Sequence, residues 1–278
     1  MDFKLSLKDV VEQNGLMAKK SLGQNFLLNQ NIPDKIIRLS LEKQGLENFA
    51  SSYVFEIGPG PGGLTRAIIS NQPKKLTVVE MDERCIKIMN ELQAETKTDM
   101  NIINSDALKV DFSEFEGEHK QIISNLPYNI SVPLLIGWLK KMKSFNALTL
   151  MFQKEVAERI MAPVKTKDYG RISVLAQLCA KVEKLFDINP ECFVPAPKIW
   201  STVLLFQPVE ANVDENIMKK VEILTERAFG QRRKMIRQSL KSVAGIDKAC
   251  AVAGVELTMR AEEITPMQYY KLAENVLL

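Results

Sequence analysis

A chain of 278 residues with 46% hydrophobic side chains can bury one large core and a smaller second one, which excludes a disordered or low-complexity chain. A formal net charge of +3 is too small to name an acidic partner, so any nucleic-acid argument depends on where basic residues cluster. Four scattered cysteines without a CxxC pair exclude a disulfide framework and a cysteine-built zinc site; a single histidine, His119, excludes a Ser-His relay or a multi-His metal centre.

The start, MDFKLSLKDVVEQNGLMAKK, lacks the apolar core of a signal peptide, and its acids Asp2, Asp9 and Glu12 argue against an organelle transit sequence, so a cytoplasmic location is expected. From Tyr53 onward β-rich runs alternate with amphipathic ones: YVFEI then Leu64 to Asn71, KLTVVE then Glu83 to Glu95, NIINSD, KQIISN then Val132 to Lys143, ALTLMF then Glu155 to Ala162. Strands apolar on both faces predict an α/β fold, a mostly parallel sheet covered by helices on each side. Further strands near Val182 to Asp187 and Thr202 to Phe206 complete it. The longest apolar run, Val132 to Leu139, is far short of the roughly 20 residues of a membrane span. After Gln207-Pro208 the pattern is helical, over Met218 to Ala228, Arg232 to Ala244 and Pro266 to Leu277. The expected organisation is an α/β domain over 1–208, with an N-terminal arm over 1–30, and a small all-α domain over 209–278.

The first strand-to-helix turn reads EIGPGPGGLT. Glycines there, Gly58 and Gly60 among them, either form a tight turn or let the backbone approach a ligand at the carboxyl edge of the sheet, and four of them favour the ligand loop. Pro59 and Pro61 remove two N–H donors that a pyrophosphate would use, so S-adenosyl-L-methionine, which has no phosphates, fits better than a dinucleotide. Glu80 ends the second strand, 22 residues beyond Gly58, where an acid can accept hydrogen bonds from both ribose hydroxyls. Asp106, with Ala107 beside it, ends the third; it suits an adenine amino group, and spacing alone leaves a helix N-cap equally open.

The fourth strand runs into Ser124-Asn125-Leu126-Pro127-Tyr128-Asn129. An exocyclic amine on a nucleobase is a poor nucleophile, because its lone pair is delocalised into the ring. The Asn125 side-chain oxygen and the Leu126 carbonyl can each accept one N–H and localise that lone pair, Pro127 stiffens the turn, and Tyr128 offers a face for a flipped base. Between Arg227 and Ile246 lie six basic residues and no acid. Arg233, Arg237 and Lys241, spaced four apart, would share a helix face and, with Arg232 and Lys234, read as a footprint for RNA phosphates rather than a solvated surface. Lys19 and Lys20 extend it from the arm.

In this order EIGPGPGGLT, VVEMD, NSDAL and SNLPYN resemble the rRNA adenine N6-dimethyltransferase family. The similarity extends to KSLGQNFL from Lys20, MFQKEVA from Met151, YGR from Tyr169, FVPAPK from Phe193 and FGQRRK from Phe229, nearly the whole chain; Pro61 and Met235 are mild departures. The resemblance implies a class I S-adenosylmethionine-dependent methyltransferase, Rossmann-like, with a helical C-terminal domain. It implies N6,N6-dimethylation of two adjacent adenosines near the 3′ end of small-subunit (16S) rRNA, a 30S particle as partner, no metal, and a monomer. It places Asn25 and Leu27 over the cofactor, Gly58 and Gly60 at its methionine part, Glu80 at its ribose, Asp106 and Ala107 at its adenine, and Asn125 between cofactor and target base. The alternatives are the antibiotic-resistance branch acting on large-subunit rRNA, a DNA adenine methyltransferase, or a non-catalytic assembly or transcription factor on the same fold. FVPAPKIWS and FGQRRKMIRQSLK favour the small-subunit branch.

Overall fold

The computed structural model describes residues 3–16, 25–210 and 213–278. Lys19, Lys20 and the rest of KSLGQ lie outside these residues. No helix among the described residues is long and apolar enough to cross a membrane.

Seven strands form the main sheet: Tyr53–Ile57 (β1), Lys75–Glu80 (β2), Met100–Asn104 (β3), Lys120–Ser124 (β4), Ala147–Gln153 (β5), Ala180–Ile188 (β6) and Ser201–Pro208 (β7), in the order β3-β2-β1-β4-β5-β7-β6. β1 through β5 pair in parallel along this order, and β7 runs antiparallel to β5. Apart from one end residue each, β1, β2 and β5 are buried throughout, the result expected of strands covered on both faces. The chain moves outward from β1 to β2 and β3, then returns to place β4 on the other side of β1. That reversal opens a crevice at the carboxyl ends of β1 and β4, the place where open α/β sheets bind ligands. Ser124 at the end of β4 donates its hydroxyl to the Ile57 carbonyl at the end of β1 (2.6 Å), tying the two lips together.

The helix expected over Val132 to Lys143 runs instead over Tyr128–Lys140. It begins as soon as Pro127 has made the turn, so Tyr128 is its first residue. Among the described residues four helices were not anticipated from the sequence: Leu7–Gln13, Asn31–Gln44, Arg171–Cys179 and Ile246–Ala253.

The chain forms two compact units, one of Met1–Leu134, Lys143–Lys154 and Glu183–Gln207, the other of Leu135–Met142, Glu155–Val182 and Pro208–Leu278. The second therefore takes in two segments that precede residue 208. In it, helix Glu215–Gly230 starts from Asp214, whose carboxylate accepts from the Asn216 and Ile217 amides, and buries Met218, Val221, Leu224 and Ala228. Tyr169 and Tyr269 are fully buried, yet their hydroxyls are satisfied by the carbonyls of Ile264 and Ala261, both at 2.9 Å.

The expected helix from Arg232 to Ala244 is corrected by the structure: within it only Ile236–Ser239 is helical. Met235 is extended (φ −67°, ψ 154°) and bridges to Arg260, and the amides of Ile236 and Arg237 donate to the carbonyls of Met259 and Leu257. This non-local pairing overrides a helical pattern. Arg233, Arg237 and Lys241 consequently do not share one helix face. Arg232 is committed elsewhere, donating to the Glu262 carboxylate and to the Thr166 carbonyl (2.5 and 3.1 Å). Arg232→Ala is expected to cost roughly 1 kcal/mol, a value held down by the partial exposure of the pair. Exposed Arg233→Ala should cost almost nothing; calorimetric unfolding of both compares them, and equal melting temperatures would return Arg232 to a solvated role.

Candidate active site

The loops after β1, β2, β3 and β4 line one cavity of about 320 Å³. The structure brings to it Asn25, Leu27, Gly58, Gly60, Glu80, Asp106, Asn125, Leu126, Pro127 and Tyr128. Ala107 is buried and does not line it; its half-exposed neighbour Leu108 does. Met81, also half-exposed, lies on the wall too, so two large apolar side chains border the cavity.

The glycine loop is tight and closely approached. Gly60 has φ +56°, and a Cβ there would come within 3.1 Å of the Phe26 ring; a Cβ on Gly63 would come within 2.9 Å of the Leu27 carbonyl oxygen. Glycine is needed for both turn and contact. The contacted segment, Phe26–Leu27, is itself a short strand pairing antiparallel with Phe193–Val194. Asn25 and Leu27 thus reach the cavity because the glycine loop has no side chains to keep them away.

Glu80 accepts from the Met81 and Asp82 amides through Oε1 (2.8 and 2.9 Å), and the Gly60 amide gives a third such interaction. A carboxylate has about four acceptor positions, so one remains for a ligand hydroxyl unless a backbone contact is exchanged. Burial raises the pKa of Glu80, and the backbone donors offset part of that rise. Asp106 fulfils the capping role that spacing left open: its Oδ1 accepts from the Leu108 amide (3.0 Å). Capping and cavity lining coexist in this side chain, since Oδ1 caps while the residue borders the cavity.

At the fourth loop, Asn125 donates from Nδ2 to the Asn25 carbonyl (3.3 Å), which makes its oxygen the acceptor offered to a ligand. Tyr128 exchanges a hydrogen bond with the Ser201 hydroxyl at the start of β7 (2.7 Å), so the ring is held at both its Cα and its tip. Ser201 was missed in the sequence because nothing local links it to a residue 73 positions earlier. Glu56 was missed as well. It sits on β1 in EIGPG, is almost fully buried, lines the cavity, and has an Oε2 without a hydrogen-bond partner. Desolvation pushes its pKa up to about 8, with the nearby Glu80 charge adding to the effect and a Thr65 hydrogen bond opposing it.

Three carboxyl-bearing residues, Glu56, Glu80 and Asp106, and no Lys, Arg or His line the cavity among the described residues. Such a wall repels phosphates and suits a ligand carrying positive charge, and the unpartnered Glu56 oxygen is an acceptor awaiting a donor. The amino-terminal end of helix Gly63–Ser70, which has no side-chain cap, supplies backbone donors for a carboxylate. S-adenosyl-L-methionine, with a sulfonium, an ammonium and a carboxylate beside its adenosine, meets each of these demands.

The family model for ribosomal RNA adenine dimethylase matches residues 15–277. The chain is 42% identical over 270 residues to a ribosomal RNA small subunit methyltransferase A of Rhodospirillum rubrum, covering 97% of this chain and 92% of that protein. It is 44% identical over 273 residues to the Azorhizobium caulinodans protein of the same name, covering 96% and 91%. Among solved structures, a dimethyladenosine transferase from Plasmodium falciparum shares the fold (TM-score 0.71, 24% identity, 90% of this chain and 98% of that one). So does the 23S rRNA methyltransferase ErmE (TM-score 0.64, 23% identity, 90% and 98%).

The raised pKa of Glu56 makes stability depend on pH with a definite sign. Below the ordinary value of 4.5 both folded and unfolded chains hold the proton; between there and about 8 only the folded chain keeps it. Stability is therefore expected to fall as pH rises across that window and to level off above it. Glu56→Gln should flatten this decline, leaving the part due to Glu80. Melting temperatures from pH 5 to 8.5 provide the check, and parallel curves for variant and wild type would contradict the burial argument.

Proposed function

Because this chain belongs to the ribosomal RNA adenine dimethylase family, we propose that it dimethylates N6 of two adjacent adenosines near the 3′ end of small-subunit rRNA, using S-adenosyl-L-methionine. The observation that carries the reading is the placement of Asn125 and Tyr128 in the same cavity as Glu80 and Asp106. The small-subunit choice is supported by relatives named ribosomal RNA small subunit methyltransferase A that are 42–44% identical along almost the full chain.

When bound, S-adenosyl-L-methionine supplies a methyl group made electrophilic by its sulfonium. Everything else is done by the chain. Glu80 would accept from a ribose hydroxyl, Asp106 from the adenine amino group, and Glu56, whose buried Oε2 has no partner, from the ammonium. The Asn125 oxygen and the Leu126 carbonyl take the two N–H bonds of the target amine and hold its lone pair out of conjugation. Pro127 keeps these acceptors in place, and Tyr128, braced by Ser201, stacks on the flipped base. No basic side chain among the described lining residues is needed to take the proton, because a methylated, cationic amine is acidic enough to give it to water.

On the second unit, Arg233, Lys234, Arg237 and Lys241 are exposed and are assigned to RNA phosphates, whereas Arg232, ion-paired with Glu262, supports the fold. The partner is read as small-subunit rRNA or the 30S particle, and the location as the cytoplasm. The chain is read as a monomer.

Asn125→Ala is expected to cut single-turnover methyl transfer to unmethylated small-subunit particles by roughly two powers of ten, the scale of a lost orienting contact. Cofactor affinity should change far less. Mapping of methylated adenosines identifies the target, and near-wild-type turnover in the variant would sink the amine-orientation mechanism.

A further inference from the structure

Isolated exposed apolar side chains are ordinary, but a group of them on a segment tied to a cavity's lining residues asks for an explanation. Val194, Ile199 and Trp200 fall within seven residues and are 52%, 39% and 46% exposed. The segment that carries them is fastened to the active site at both ends. At one end Val194 pairs with Phe26, which lines the cavity. At the other, Ser201 hydrogen-bonds the Tyr128 hydroxyl. Trp200 itself is fixed through its backbone, its carbonyl accepting from the Lys154 amide (2.9 Å) just past the end of β5, in register with the Gln153–Ser201 pair. Since β5 runs parallel to β4, that end lies along the sheet edge that carries Asn125.

The indole also has a cation beside it. The Lys154 ammonium lies over the ring, 6.0 Å from its centroid, and is held there by Asp187 (3.5 Å). An aromatic face with a basic group alongside is the arrangement that single-stranded nucleic acid finds favourable: the base stacks and its phosphate meets the charge. A base extracted into the cavity leaves its neighbour in the strand with an uncovered face, and covering that face recovers part of the unstacking cost.

We propose that Trp200 is a positioning residue that stacks on the nucleotide flanking the flipped adenosine, with Lys154 beside that nucleotide's phosphate. The proposal rests on the reading of the chain as an RNA adenine dimethylase and adds to it a second base-binding position outside the cavity. Stacking of this kind is made before chemistry as well as during it, so it acts on substrate affinity more than on turnover.

The test uses the full chain. Trp200→Ala should raise KM for unmethylated small-subunit particles roughly tenfold, within the range of one lost base–aromatic stack, with kcat and cofactor affinity nearly unchanged. Trp200→Phe should recover most of the loss. The chain has two tryptophans, and Trp138 is 6% exposed, so quenching of intrinsic fluorescence by a single-stranded oligoribonucleotide containing the target adenosine reports on Trp200. An oligoribonucleotide abasic beside the target should bind wild type as weakly as the intact one binds Trp200→Ala, and the two losses should not add. An unchanged KM, absent quenching, or equal losses on intact and abasic RNA would overturn the proposal while wild-type methylation of particles stands. Absence of that methylation would overturn the functional reading itself.

Discussion

The site depends on the register in which β1, β2, β3 and β4 end. Parallel pairing brings Ile57 beside Val79 and Glu80 beside Asn104, and the Ser124 hydroxyl on the Ile57 carbonyl locks the fourth strand to the first. Four separated stretches of sequence are thereby delivered to one edge. Because side chains alternate along a strand, a slip of one residue would turn every one of those side chains away. The interior of the sheet, apolar on both faces, is what makes such a slip costly.

Upon that frame the site is stiffened by contacts that involve no ligand. Glu80 is clasped by backbone amides, Asp106 caps a short turn, Asn125 is bonded to Asn25, and Tyr128 is braced by Ser201. Each bond fixes one atom of a polar side chain and so decides which of its atoms the cavity receives. The side chains that cap and make turns here keep an oxygen that these contacts do not use, Oδ1 of Asn125 among them.

Much of this was legible in the sequence because it is local. Strand runs apolar on both faces, the glycine turn, and the acids and amide at strand ends can be read within a few residues of one another, and the positions so named, Ala107 apart, line one cavity. What escaped is non-local. Whether Arg232 faces RNA or an acid depends on Glu262, thirty residues on; whether Ile236 continues a helix depends on Met259 taking its amide. Ser201 acquires its role only from a fold that sets β7 beside β5. Glu56 was visible as a letter, yet its consequence comes from complete burial, which no spacing reveals. The helix Asn31–Gln44 did carry a periodic apolar stripe, Pro33, Ile36, Ile37 and Leu41, and could have been found locally.

The acidic wall of the cavity has a bearing on repeated turnover. Donation of a methyl group turns a sulfonium into a neutral thioether, so the spent cofactor carries one positive charge fewer than the fresh one. A pocket with Glu56, Glu80 and Asp106 around it and no basic lining residue among those described therefore holds the spent molecule less firmly by charge. An adenine that must receive two methyl groups requires the exhausted donor to leave and another to enter between them. In this pocket, the chemical step itself weakens the electrostatic part of product retention.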